Sequence, residues 1–222
     1  MAGNLRAFIA EFLGTFGWVF LAAGAVCTDA ATRGSLGPIG VALAQGLAVA
    51  AVFGMLGRFS TGYFNPALTL ALAAARRTDW GRAALSVGCQ LLGAACAGLL
   101  LAQLFAAVLP PAEAPYLGTP LPTGLGFRAA TLLEAVLTFF LALAALGGTG
   151  RSAAGRAVLV GAAAGAAALM AGPLTGAALN PARAFGPAVA SGFWVEHYVY
   201  WFGPGAGAAL AAFLTRFVFD KP

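Results

Sequence analysis

The chain has 222 residues, of which 61% are hydrophobic and only 9% charged, with a mean hydropathy of +0.89. A soluble domain of this length carries about a quarter of its residues as charges, so most of this exterior must contact lipid. The net charge of +5 comes from arginines scattered singly between apolar runs, which excludes the basic patch of a nucleic-acid binder.

A helix needs about 20 mostly apolar residues to cross a hydrocarbon core about 30 Å thick. In chain order such stretches run Phe8–Cys27, Pro38–Gly57, Ala83–Val108, Phe127–Leu146, Ala157–Ala171 and His197–Phe219, six predicted spans of which the fifth is short. The first is span-length and recurs in the repeat described below, so it reads as a span and not as a cleavable signal peptide. Charges and helix breakers fall between the spans, at Asp29–Gly34, Arg76–Arg82, Pro110–Pro122 and Gly147–Arg156. No linker or low-complexity segment interrupts the chain, which predicts a single domain over residues 1–222. Cys27, Cys89 and Cys96 are odd in number and lie in or beside apolar runs, which argues against a disulfide framework.

Orientation follows from the basic residues. With both termini cytoplasmic, the inside segments hold Arg6, Arg58, Arg76, Arg77, Arg82, Arg151, Arg156, Arg216 and Lys221, and the outside segments only Arg33 and Arg128. Cytoplasmic loops carry such an excess.

Two apolar stretches of about ten residues remain, Asn65–Ala75 and Asn180–Ala190. As helices they reach about 15 Å, half of the hydrocarbon core. Half-helices persist at membrane depth only where protein or a water-filled cavity satisfies their ends. The chain also repeats itself. Glu11 and Glu134 stand 123 residues apart, each four residues before a threonine, and Asn65-Pro66-Ala67 and Asn180-Pro181-Ala182 stand 115 apart. Three spans per half is an odd number, so the second copy enters from the opposite side. An inverted repeat of this kind puts the functional site at the midplane.

Asn-Pro-Ala suits a helix start, because asparagine is a strong N-cap and proline is favoured at the first helical position. A capping asparagine accepts with its side-chain oxygen, which leaves its amide NH₂ to donate. Two such caps at the midplane would present donors and two positive helix-dipole ends to a single file of solute. Water would turn its oxygen to both asparagines, which breaks the hydrogen-bond chain that carries protons, and cations would be repelled.

The six spans, the two span glutamates, and the pair Asn65-Pro66-Ala67 and Asn180-Pro181-Ala182-Arg183, with Thr175-Gly176 and Phe185-Gly186-Pro187 beside it, resemble the major intrinsic protein (aquaporin) family over nearly the whole chain. The resemblance implies an all-α membrane protein: a right-handed bundle of six transmembrane helices plus two re-entrant half-helices, in inverted repeats at about 5–109 and 127–219. It implies a homotetramer with one pore per subunit. It also assigns Glu11 and Glu134 to bracing the re-entrant loops, with a proton relay as the alternative for such intramembrane acids. Arg183, a cation facing the positive end of its own helix, matches the family's pore-constricting arginine. By offset from the two asparagines, the rest of that selectivity filter falls on Gln45, Ala168 and Ala177.

Water-selective relatives carry an aromatic ring and a histidine where this chain has Gln45 and Ala168, so the resemblance predicts a looser opening. Gln45 could instead fold across the gap, or bond between helices. Ala184, Ala188 and Tyr200-Trp201 resemble the water branch of the family rather than the glycerol branch. Tyr63 stands where many relatives have a histidine, in Ser60-Thr61-Gly62-Tyr63-Phe64. The only histidine, His197, sits beside Glu196 at a span boundary and reads as an interfacial anchor without metal co-ligands. No catalytic constellation, cofactor or metal site is expected. The expected function is a passive channel for water and other small neutral solutes (glycerol, urea, ammonia, hydrogen peroxide) in a lipid bilayer. Inverted repeats also occur in secondary transporters, and the same fold could serve as a non-conducting structural protein. The Ala/Gly/Arg-rich composition and short termini point to a cell membrane, that of a prokaryotic inner membrane.

Overall fold

The computed structural model describes residues 2–60, 62–109, 116–147 and 152–219. Thr61, Pro110, Arg151 and Lys221 lie outside the described residues.

Among the described residues the chain forms eight α-helices: α1 (Ala2–Ala31), α2 (Gly37–Leu56), α3 (Pro66–Ala74), α4 (Trp80–Phe105), α5 (Phe127–Leu146), α6 (Ala153–Thr175), α7 (Pro181–Ser191) and α8 (Val199–Leu214). Six of them are long and apolar enough to cross a membrane, α8 continuing through a π-helical turn at Thr215–Phe219. The remaining two, α3 and α7, have 9 and 11 residues and open at Asn65 and Asn180. The chain is therefore an all-α, multi-pass membrane protein with two re-entrant half-helices.

Several boundaries differ from those read off hydropathy, and capping explains them. The fifth span is not short: Ser152 caps its start by accepting from Gly155 N, and the helix runs 23 residues to a left-handed Gly176. Pro173 lies inside this helix, where it cannot supply the N–H that would bond the Leu169 carbonyl. The first span extends past Cys27 to Ala31, taking in Asp29, whose carboxylate accepts from the Leu36 and Gly37 amides and ties α1 to the start of α2. Asp79 caps α4, which begins three residues before the apolar run. The last span starts at Val199, after His197.

The packing repeats the sequence symmetry. α1 packs on α4 as α5 packs on α8, α4 packs on α7 as α8 packs on α3, and α2 and α6 cross each other extensively about the axis between the halves. Lipid offers no hydrophobic force between helices, so close approach depends on small residues. At the α2–α6 crossing, a Cβ at Gly46 would lie 2.9 Å from both Gly161 O and Gly165 Cα. The outward faces carry exposed Leu47, Ile39, Leu132, Val158 and Phe202, as lipid contact requires, while Glu11, Gln90, Glu134, Asn65, Asn180 and Arg183 are buried.

A Gly46→Ala substitution should therefore separate two backbones that cannot yield, destabilising the protein by about 1–3 kcal/mol. Gly88→Ala, where a Cβ meets nothing within 4 Å, should be neutral or better. Thermal unfolding midpoints of the two variants in detergent check the difference.

Candidate functional site

The site starts with two strained loops. Tyr63 (φ 54°) and Phe64 (φ 59°) precede Asn65, and Ala177 (φ 42°) and Leu179 (φ 57°) precede Asn180, all in the left-handed region that non-glycine residues rarely adopt. Such a backbone persists only where its surroundings over-determine it. Here the buried carboxylates do so. Glu11 accepts from Gly62 N (2.6 Å), Phe64 N (2.9 Å), Gln90 Nε2 (2.6 Å) and Ser60 Oγ. Glu134 accepts from Thr175 Oγ1 (2.7 Å), Ala178 N (3.1 Å) and Leu179 N (2.9 Å). Both glutamates thus hold loop amides that would otherwise be orphaned at membrane depth.

Held this way, the two helix starts meet. Asn65 (φ −148°, ψ 113°) and Asn180 (φ −152°, ψ 114°) adopt nearly the same extended geometry, with Pro66 and Pro181 at the first helical positions and Ala67 N and Ala182 N each donating to the cap oxygen at 2.9 Å. Each amide also reaches across the symmetry axis. Asn65 Nδ2 donates to Leu179 O, and Asn180 Nδ2 to Phe64 O, both at 2.9 Å. This corrects the expectation of a wholly free NH₂: one hydrogen of each amide is committed to the opposite loop, and one remains. Thr15 Oγ1 donates to the same Phe64 carbonyl at 3.2 Å.

Towards one end of the bundle the chain forms an open cavity of about 430 Å³, lined among others by Val26, Asp29, Gln45, Gly118, Ala168 and Arg183. Gln45, Ala168 and Arg183 thus come together. Ala177 joins them through its backbone: Gln45 Nε2 donates to Ala177 O at 2.7 Å, while the Ala177 methyl packs in an apolar cluster with Ala42, Ala168 and Ala171. Gln45 is accordingly tied to the loop. Arg183, 2% exposed, donates from Nη1 to Gly118 O at 2.7 Å, and among the described residues its Nε–H has no partner. The turn at Tyr116–Gly118 needs glycine at its last position, where φ is 74° and a Cβ would meet Ala23 O at 2.8 Å.

Several members of this arrangement escape sequence reasoning. Gln90, a polar residue inside a span, is the one that carries a signal. The Gly118 carbonyl carries none. Tyr200, noted only as half of an aromatic pair, donates from its hydroxyl to Thr175 O at 2.7 Å and so steadies the residue that bonds Glu134. Ala184 and Ala188 are fully buried. His197 packs edge-on to Trp194, both nitrogens are buried with no hydrogen-bond partner among the described residues, and this burial holds its pKa below the ordinary value.

A family model described as Major intrinsic protein matches residues 1–215. The chain is 41% identical to Aquaporin TIP4-4 of Zea mays over 95% of this chain and 85% of that protein. It is 37% identical to Aquaporin NIP1-1 of Zea mays over 98% of this chain and 77% of that protein. Its fold matches the aquaglyceroporin from Plasmodium falciparum with a TM-score of 0.87, at 24% identity, over 98% of this chain and 97% of that one. The expected prokaryotic inner membrane is not borne out by these plant relatives.

Because Glu134 is wholly buried and accepts three hydrogen bonds, Glu134→Gln would set an NH₂ against loop donors. At about 1–3 kcal/mol for each buried group left unsatisfied, the variant should unfold at a markedly lower temperature in detergent than the wild type. Equal midpoints would show that the carboxylate does not hold the loop.

Proposed function

As the chain belongs to the major intrinsic protein family, a family of membrane channels for water and small solutes, we propose that it passes water and also small neutral solutes such as glycerol, urea, ammonia or hydrogen peroxide, and excludes ions and protons. The observation that carries this reading is the reciprocal bonding of Asn65 and Asn180 across the two loops. It fixes both amides so that each keeps one N–H for a passing oxygen, beside the positive ends of α3 and α7. A water bonded to both asparagines has its hydrogens turned away in both directions. That orientation interrupts proton hopping, and the dipoles and Arg183 repel cations.

Gln45, Ala168, Ala177 and Arg183 form the outer filter in this reading. Ala168 offers only a methyl group opposite the arginine, and the tie from Gln45 to the Ala177 carbonyl keeps the glutamine along the wall. Among the described residues the guanidinium Nε–H is buried and unbonded. Glu11 and Glu134 act as loop braces, their oxygens engaged by loop amides rather than by an ion or a proton relay. The excess of arginine on one side supports cytoplasmic termini in a cell membrane. Family membership supports a homotetramer with a pore in each subunit.

Two measurements test this. Vesicles holding the wild-type protein should pass water rapidly, with low temperature dependence, while a pH-sensitive dye inside records no protein-dependent proton flux. Asn180→Asp places an anion at the midplane and should admit protons or cations. Saturating, ion-dependent uptake would instead indicate a transporter, and no flux a structural role. The filter is tested by swelling in glycerol and urea. Wild type should pass at least one of them, and Ala168→His and Gln45→Phe should each cut that flux by about tenfold or more, the scale on which a steric step in a pocket discriminates. Water flux should survive. Wild-type vesicles tight to glycerol, urea, ammonia and peroxide would show that the opening is closed despite Ala168.

A further inference from the structure

α1 carries an indole whose polar edge is unaccounted for. Trp18 is 1% exposed, and among the described residues its Nε1–H is buried without a hydrogen-bond partner. Indole nitrogen can only donate. Buried donors are nearly always paired, and an exception calls for a reason.

The position of Trp18 supplies the reason. Thr15, Trp18, Ala22 and Val26 are spaced three, four and four residues apart and so share one stripe of α1. Thr15 at one end of the stripe bonds the Phe64 carbonyl that also accepts from Asn180. Val26 at the other end lines the cavity that holds Gln45 and Arg183. At about 1.5 Å per residue, Trp18 lies about 4.5 Å from Thr15 along the axis, between the asparagine caps and the filter. Helical side chains lean towards the N-terminus, which brings the indole back towards the caps. Trp18 also shares a buried cluster with Val49, one turn along α2 from Gln45, and with Phe64, Leu141 and Leu179.

The repeat shows what is unusual. Seven residues after Glu134, where α5 matches α1, stands Leu141, also 1% exposed and in the same cluster. One half therefore presents an apolar wall at this level, and the other half an aromatic with a donor. Among the described residues Thr138, the repeat mate of Thr15, likewise keeps a buried hydroxyl without a partner, as does Arg183 its Nε.

We propose that the Trp18 indole N–H is a solute-binding donor inside the pore, offering a hydrogen bond to the oxygen of water, or of a hydroxyl or carbonyl group, in the stretch between the asparagine pair and the filter. The assignment rests on the channel reading above. A passing oxygen leaving the asparagine amides would find a donor there, where a fully apolar wall would strip one hydrogen bond from it.

Replacing Trp18 with benzothienylalanine keeps the shape and removes the N–H. Water permeability of vesicles should then fall about threefold or more, the scale of one lost hydrogen bond in a barrier. In the ¹⁵N-labelled wild-type protein, which has four tryptophans, the Trp18 indole signal is identified by its loss in Trp18→Phe. It should exchange with deuterium within minutes. Unchanged permeability with the isostere, or an indole proton protected for hours, overturns the assignment. If the isostere does not fold, exchange in the wild-type protein decides alone. Absence of water flux through wild type overturns the channel reading itself, and this assignment with it.

Discussion

Two buried carboxylates hold this molecule's centre together. A re-entrant loop at membrane depth has backbone amides that neither lipid nor regular structure can satisfy. Glu11 and Glu134 gather those amides, and in doing so they hold Phe64 and Leu179 in the left-handed region. The turned backbones aim the Phe64 and Leu179 carbonyls at the opposite asparagines. Each loop therefore depends on its own carboxylate and on the other loop.

The inverted repeat makes this economical. The same local solution, carboxylate, strained loop, asparagine cap and proline, appears twice and meets itself about one axis. Departures from the symmetry are where chemistry becomes specific. Glu11 collects Gln90 and Ser60, whereas Glu134 collects Thr175, itself steadied by the Tyr200 hydroxyl. Arg183 stands on α7, at the position where α3 has Leu68, and of the two it is Arg183 that lines the cavity shared with Gln45 and Ala168. Trp18 opposite Leu141 belongs to the same set of differences.

Close helix packing by small residues sets the framework for these polar contacts. With glycine at the α2–α6 crossing, the two helices approach closely enough to bring Gln45 within reach of the Ala177 carbonyl. The apolar exterior and the polar centre thus follow from one rule: whatever cannot be satisfied by lipid must be satisfied inside.

Most of the framework was legible in the sequence because it rests on local properties. Hydropathy over about twenty residues marks a span, Asn-Pro marks a helix start, and a glutamate inside an apolar run announces a buried acceptor. The six spans, the two half-helices at Asn65 and Asn180, and the residues of the loops follow from these. The span ends were less legible, since Ser152, Asp29 and Asp79 extend helices beyond their apolar runs. Tertiary structure alone decided which atoms meet. Every residue but proline carries the same backbone groups, so nothing marks the carbonyls of Gly118, Ala177, Phe64 or Leu179 as the acceptors that fix Arg183, Gln45 and the two asparagines. These pairs are 65 to 132 residues apart in the chain, and only the packed halves bring them within hydrogen-bonding distance.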